Sequence, residues 1–345
     1  MFFRHVNRYA AIAAAILSCA IGADAAADPL RDKARSLFGS ARAATQQEID
    51  DPKARLGQAL FFDSRLSSTG QMACATCHYA EAWGADSRRA SVTARGTTTR
   101  QSQTVFHAQD ANGLHWLADL ASGADHAREA ITGGMGFEKR EQIVARMKEL
   151  GYEKPFRAAW PGAGEAVTVD RYAEALEVYQ RTLRTRSPFD AWLDGDDRAM
   201  TKKQVRGLRK FIDTGCVNCH VGPLVGGTMK QRFGLVERYP TDTGRPELDI
   251  GLMQNTGSER DRDVYRVPPL RNIARTPPYF HDGSVADLRK ATEIMARVQL
   301  GRQLDDVTIG ELVAFMESLT GPIPRNFHPP KGIPFVSPAA ARAAR

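Results

Sequence analysis

The sequence predicts a mainly α-helical protein folded as two domains of one kind, with long irregular loops between the helices. Three observations predict it. A five-residue pattern occurs twice, as Cys74-Ala75-Thr76-Cys77-His78 and as Cys216-Val217-Asn218-Cys219-His220, about 140 residues apart. Each copy is entered from a segment with helical periodicity through a short loop. The remaining periodic stretches also read as helices, and the long stretches between them carry few strands.

The repeated pattern is a c-type haem attachment site. Two cysteine sulfurs add across the vinyl groups of one porphyrin, and the histidine that follows swings under the iron as its proximal ligand. A zinc knuckle would want a second ligand pair close to each first pair, and a redox dithiol has no use for the trailing histidine. Once the N-terminal leader is removed, these four cysteines are the only ones left. Two cytochrome c-like domains follow, each with one covalently bound haem.

In chain order, residues 1–27 read as an export signal. Arg4 and Arg8 precede a short uncharged apolar stretch, Ala10 to Ala20, and a small-residue cleavage site around Ala23–Ala27. The stretch is short for a membrane span, and no other segment is apolar enough to cross. Cys19 sits in a poor lipobox, which favours release over lipid anchoring. Leader and covalent haem together point to the bacterial periplasm.

A helix is expected from Gln46 to Leu60, with Ile49, Leu56 and Leu60 on one face, leading into the first haem site. Ser87 to Gln103 is polar and aperiodic and reads as a loop over that haem. Helices are expected over Glu141–Leu150 and Val169–Leu183, and Ser187-Pro188-Phe189 reads as a linker. The N-terminal domain is therefore assigned to 28–186 and the C-terminal domain to 187–345. In the latter, Val205, Leu208, Phe211 and Ile212 form a helical face ending before Cys216. A loop, Gly222 to Arg266, wraps the second haem, and helices at Ala286–Met295 and Val307–Leu319 precede a Pro-rich tail.

The formal charge is +7, and +6 without Arg4, Arg8 and Asp24. Four haem propionates bring it to about +2. The basic residues are scattered, as in Arg88-Arg89, Lys202-Lys203 and Arg209-Lys210. No nucleic-acid partner is needed to explain them.

Beyond the haem motifs, three stretches resemble the bacterial di-haem cytochrome c peroxidases, a family that includes protein-oxidising relatives. They are Leu56-Gly57-Gln58-Ala59-Leu60-Phe61-Phe62-Asp63-Ser64-Arg65-Leu66-Ser67 running into Cys74, Gly215 to His220, and Pro269 to Ala274 with Thr276 to Gly283. The resemblance covers about Asp50 to Gly321. It implies that the haem on His78 reacts with H₂O₂. The haem on His220 would receive electrons from a c-type cytochrome or cupredoxin and carry a methionine as sixth ligand. Met295 falls in that slot. On periodicity alone it reads as a core residue; a thioether opposite histidine would raise the potential. Trp116, 16 residues after Arg100, matches the family's tryptophan between the haems, with a buried core aromatic as the alternative. A calcium site is implied at Gln101, Thr276 and Pro278, all oxygen donors, although Gln replaces the family's usual Asn. A homodimer is compatible with the sequence.

Two departures bear on mechanism. No histidine lies between Tyr79 and Phe106, where many relatives carry one that caps the first iron, so that iron is expected open. Counted from Trp116, the family's distal glutamate falls on Gly136. Glu138 is two residues on and Glu129 seven before. A small loop shift would bring in Glu138 as acid and base. The leading expectation is a periplasmic peroxidase. The alternatives are a peroxide-dependent oxidase that shares its oxidising equivalents between two haems to attack a protein partner, and a plain di-haem electron carrier.

Overall fold

In the computed structural model, residues 28–239 and 249–338 are described; the expected leader and Cys19 lie outside them. The chain opens with helix α1 (Pro29–Phe38), capped by Asp28 and started by a proline that needs no hydrogen bond there. The expected Gln46–Leu60 helix is two helices, α2 (Gln46–Asp50) and α3 (Pro52–Phe62). Pro52 disfavours helical geometry at the residue before it, and Asp51 instead caps α3 by accepting from the Lys53 N–H at 2.7 Å.

The polar stretch after the first haem motif is a loop with a small hairpin, β1 (Val92–Thr93) against β2 (Gly96–Thr97). There follow α4 (Gly123–Thr132), α5 (Gln142–Glu149), α6 (Glu153–Ala159) and α7 (Val169–Arg181). The expected linker at Ser187 is instead the start of helix α8 (Pro188–Leu193), with Phe189 fully buried. Helix α9 (Lys202–Asp213) enters the second motif. The loop beyond it contains β3 (Lys230–Arg232), α10 (Met253–Thr256) and β4 (Val264–Arg266), with β3 and β4 paired antiparallel. Helices α11 (Leu288–Leu300) and α12 (Asp306–Ser318) close the helical part. Among the described residues no helix is long and apolar enough to cross a membrane.

Two cores organise these elements. In the first, α3 lies across α7, and Gly57 is what lets them touch: a Cβ there would run into the Ala175 carbonyl and the Tyr179 side chain. In the second, α9 lies across α12 in the same manner, with Gly207 against Glu311 and Phe315. The crossed helix pair, followed by the haem motif, is thus repeated.

The cores do not divide the chain at one point. Ala34 and Phe38 of α1 belong to the second core, where Phe38 meets Phe189 edge-on at 5.6 Å. Phe327 of the tail belongs to the first, edge-on to Phe106 at 4.8 Å. The Gln58 side chain holds that tail through the Asn326 and His328 carbonyls. Each end of the described chain therefore crosses the expected boundary at 186/187 and packs on the far domain.

Candidate functional site

Both haem motifs fold alike. Each is a tight turn in which the histidine N–H donates to the carbonyl of the first cysteine, at 3.0 Å in both copies. Behind each histidine a backbone carbonyl accepts from the ring: Gly84 at 3.0 Å from His78 Nδ1, and Val225 at 3.3 Å from His220 Nδ1. Tying Nδ1 in this way leaves Nε2 free as the metal-binding nitrogen and fixes the ring's direction. Burial lowers the pKa of His78 and holds His220 at about 4, so both are neutral, the form that ligates iron.

The cysteines are poor candidates for redox dithiols. Burial pushes Cys74 up to about 12 and Cys77 to about 11, and raises Cys216 and Cys219 as well. A dithiol enzyme needs the opposite shift.

The second motif opens on a wide, largely apolar cavity. Cys216, Cys219, His220 and Met295 all line it. Met295 comes from α11 and is only part-buried, whereas Met316 of α12, also on the wall, is packed into the second core. The chemistry of the wall fits a haem in one further respect. Arg266 is 5% exposed, and burial alone brings its pKa down to about 10. Among the described residues its side chain donates to two neutral acceptors, the His115 carbonyl at 3.0 Å and Gln103 Oε1 at 2.6 Å, and meets no carboxylate. A buried guanidinium in such surroundings suits a propionate.

Trp116 stands on the wall of the same cavity as His220. Its indole N–H donates to the Gln101 carbonyl at 2.8 Å, its ring meets His281 edge-on at 6.3 Å, and it lines the second cavity. Its own carbonyl accepts from the Arg266 N–H at 2.7 Å. Gln101 is buried, its side chain donates to the Asp86 carbonyl, and its backbone N–H donates to the His281 carbonyl at 2.8 Å. Gln101, Thr276 and Pro278, the expected calcium donors, all line this cavity. Alongside them Arg100 grips Asp249 through two hydrogen bonds of 2.7 and 2.8 Å; burial alone would raise the carboxyl, but the guanidinium holds it at about 2.

The expected acid is elsewhere. Glu138 is exposed, and its backbone N–H is capped by the Gln142 side chain at 2.9 Å. Glu129 is also exposed. Gly136 has φ +81°, and a Cβ there would lie 2.6 Å from both the Ala94 Cβ and the Ser68 Oγ, so no side chain belongs at that position. Met135 is a core residue. Two residues missed by the sequence reading, His115 and His126, meet edge to face at 4.9 Å, within the field of His78. The signals that could have found them are Asp119 one helical turn after His115, and the scarcity of histidine, 8 in the chain.

Comparison with known proteins matches residues 51–198 to the family of di-haem cytochrome c peroxidases. The chain is 38% identical to cytochrome c551 peroxidase of Pseudomonas aeruginosa, over 88% of this chain and 90% of that protein. It is 30% identical to the methylamine utilization protein MauG of Methylophilus methylotrophus, over 78% of this chain and 82% of that one. Among solved structures it resembles a MauG-like protein associated with microbial copper homeostasis, with a TM-score of 0.71, 25% identity, and coverage of 84% of this chain and 96% of that one.

Proposed function

The chain belongs to the di-haem cytochrome c peroxidase family and is a peroxidase carrying c-type haems; from that premise we propose that its two halves divide the reaction between them. Hydrogen peroxide is reduced at the haem held by His78, and electrons enter through the haem held by His220 and Met295. The observation that carries this is an asymmetry. Met295 faces a cavity beside His220, whereas Met135 and Met147 near the first site are packed in its core. The bound haems supply the redox chemistry that takes peroxide to water.

The chain's own residues do the rest. His78 and His220 present Nε2, each steadied by a backbone carbonyl at Nδ1. Arg266 pairs with a propionate and, through the His115 and Trp116 backbone, holds the bridging tryptophan in place. Trp116 relays charge between the halves. Gln101 with the Thr276 and Pro278 carbonyls forms a hard-oxygen site for one Ca²⁺ beside it. The leader and the covalent haems support a periplasmic location, and the donor is a small c-type cytochrome or cupredoxin.

A second reading is favoured by the placement of Trp116 on the wall of the second cavity: oxidising equivalents arriving there pass to a docked protein partner instead of being refilled by a cytochrome. Steady-state assay with reduced cytochrome c and H₂O₂ separates the two, because the peroxidase turns over with the cytochrome alone. Trp116→Phe should keep both haems and slow that turnover. Full turnover in the variant would remove Trp116 from the route.

A further inference from the structure

His126, on the first turn of α4, faces His115. Their rings meet edge-on with centroids 4.9 Å apart at 80°. His115 Nδ1 in turn lies 3.3 Å from Asp119 Oδ1, and the His115 carbonyl is pinned by the buried Arg266. His115 and Asp119 belong to one turn, closed by the Leu114–Leu120 bridge, and His126 reaches them from α4.

This cluster lies within the field of His78, the histidine of the first haem motif. His126 is enclosed by protein, and its pKa is pushed down to about 3, by burial first and then by the fields of His115 and His78. Yet its ring is only part-buried by accessible surface. Cys74 and His78 are likewise only part-buried, and the field of His78 reaches His126. Neither ring nitrogen of His126 has a hydrogen-bond partner among the described residues, in contrast to His78, whose Nδ1 is committed to Gly84. The space behind His78 is filled by the loop at Gly84 with Val105 and Phe106. His126 arrives from a different element, α4, which packs on α7.

We infer that His126 is the catalytic proton-transfer residue on the peroxide-facing side of the first haem, with His115 and Asp119 as positioning residues. The inference rests on the reading that the His78 haem is the peroxide-reacting one. It fills the role left vacant by Gly136 and by the exposed Glu138. With the haem bound and supplying the two electrons that break the O–O bond, the neutral imidazole of His126 would take a proton from one oxygen of H₂O₂ and give it to the other, which would leave as water. Two electrons from the donor protein and two further protons release the second oxygen as water.

The test uses the full two-haem protein. His126→Gln keeps the ring's approximate size and cannot carry the proton. It should slow the stopped-flow reaction of the first iron with H₂O₂ by roughly 10²–10⁴-fold. The on-rate of hydrogen cyanide, which must also lose a proton to bind, should fall in parallel. The resting spectrum and the two haem additions by mass spectrometry should be unchanged. His126→Glu, which restores a proton carrier, should recover at least tenfold of the lost rate. Unchanged peroxide and cyanide rates in His126→Gln would overturn the inference. So would a resting first iron that is low-spin in the wild type and high-spin in the variant, which makes His126 a ligand. If the wild-type first iron does not react with peroxide at all, the functional reading itself fails.

Discussion

The two halves of the molecule share a frame and differ in what faces the iron. In each, a glycine lets one helix press on another, Gly57 of α3 on α7 and Gly207 of α9 on α12. A tight turn follows that sets two cysteines and a histidine, and a backbone carbonyl steadies the histidine from behind. In the cavity that His220 lines, the wall offers Met295, an uncharged thioether with no proton to give. Within the field of His78 stand His126, His115 and Asp119, groups able to hold a proton. The frame fixes where a haem sits. A few side chains on its open face decide whether that haem passes electrons or handles an oxygen substrate.

The largest effect comes from emptying one half. Replacing Cys74 and Cys77 together by Ala should leave a single haem addition in the denatured mass and keep the low-spin signal of the His220/Met295 haem. Peroxide reactivity should be lost. If the reactivity survives, the second half is the peroxide-reacting one and the comparison is inverted.

Next in size is the ligand that distinguishes the halves. Met295→Ala should abolish the low-spin signal of the oxidised protein and lower the potential of the second haem, because the thioether that favours ferrous iron is gone. Both haems should remain attached. An unchanged spectrum would hand the ligand role to another residue, with Met316, on the same cavity wall, the first to test.

Much of this frame is legible in the sequence, and the reasons for the rest are physical. The haem motifs were found because covalent attachment demands a fixed local spacing. The main helices were found because burial imprints a period on apolar residues. Helix α1 and the tail around Phe327 pack on the core of the other half, and the sequence carries no local mark of it because tertiary packing chooses their partners. His115 and His126 escaped because they meet each other and His78 only in space. Gly136 misled in a different way. Counting along an ungapped chain gave it a functional slot, whereas its φ of +81° and its crowding against Ala94 and Ser68 show a glycine kept for the turn.

The helix contact itself gives a smaller and more symmetric effect. Gly57→Ala and Gly207→Ala each force a methyl against backbone and should destabilise their own half by about 1–3 kcal/mol, since overpacked contacts must shift to admit it. Denaturant titration should be read at two spectroscopic signals, because two domains with cofactors need not unfold as one transition. Gly57→Ala should lower the midpoint at the first haem and Gly207→Ala that at the second. Equal loss at both haems from either variant would mean that the exchanged ends, α1 and the tail, couple the halves into a single unit.

The smallest expected effect is at Glu138. Its residue is exposed, and the contact that orders its backbone comes from the Gln142 side chain and does not involve its own carboxylate. Surface substitutions of this kind usually stay within about 0.5 kcal/mol of the parent. Glu138→Gln should therefore leave stability, haem content and the rate of reaction with H₂O₂ nearly unchanged, in the same assay where His126→Gln loses orders of magnitude. The pair of variants is the sharpest test of how the first half differs from its family's pattern. A collapse of peroxide reactivity in Glu138→Gln with His126→Gln intact would mean that the loop carrying Glu138 moves inward when the haem is present. The proton would then be handled by a carboxylate, and the two histidines would serve only to shape the cavity wall.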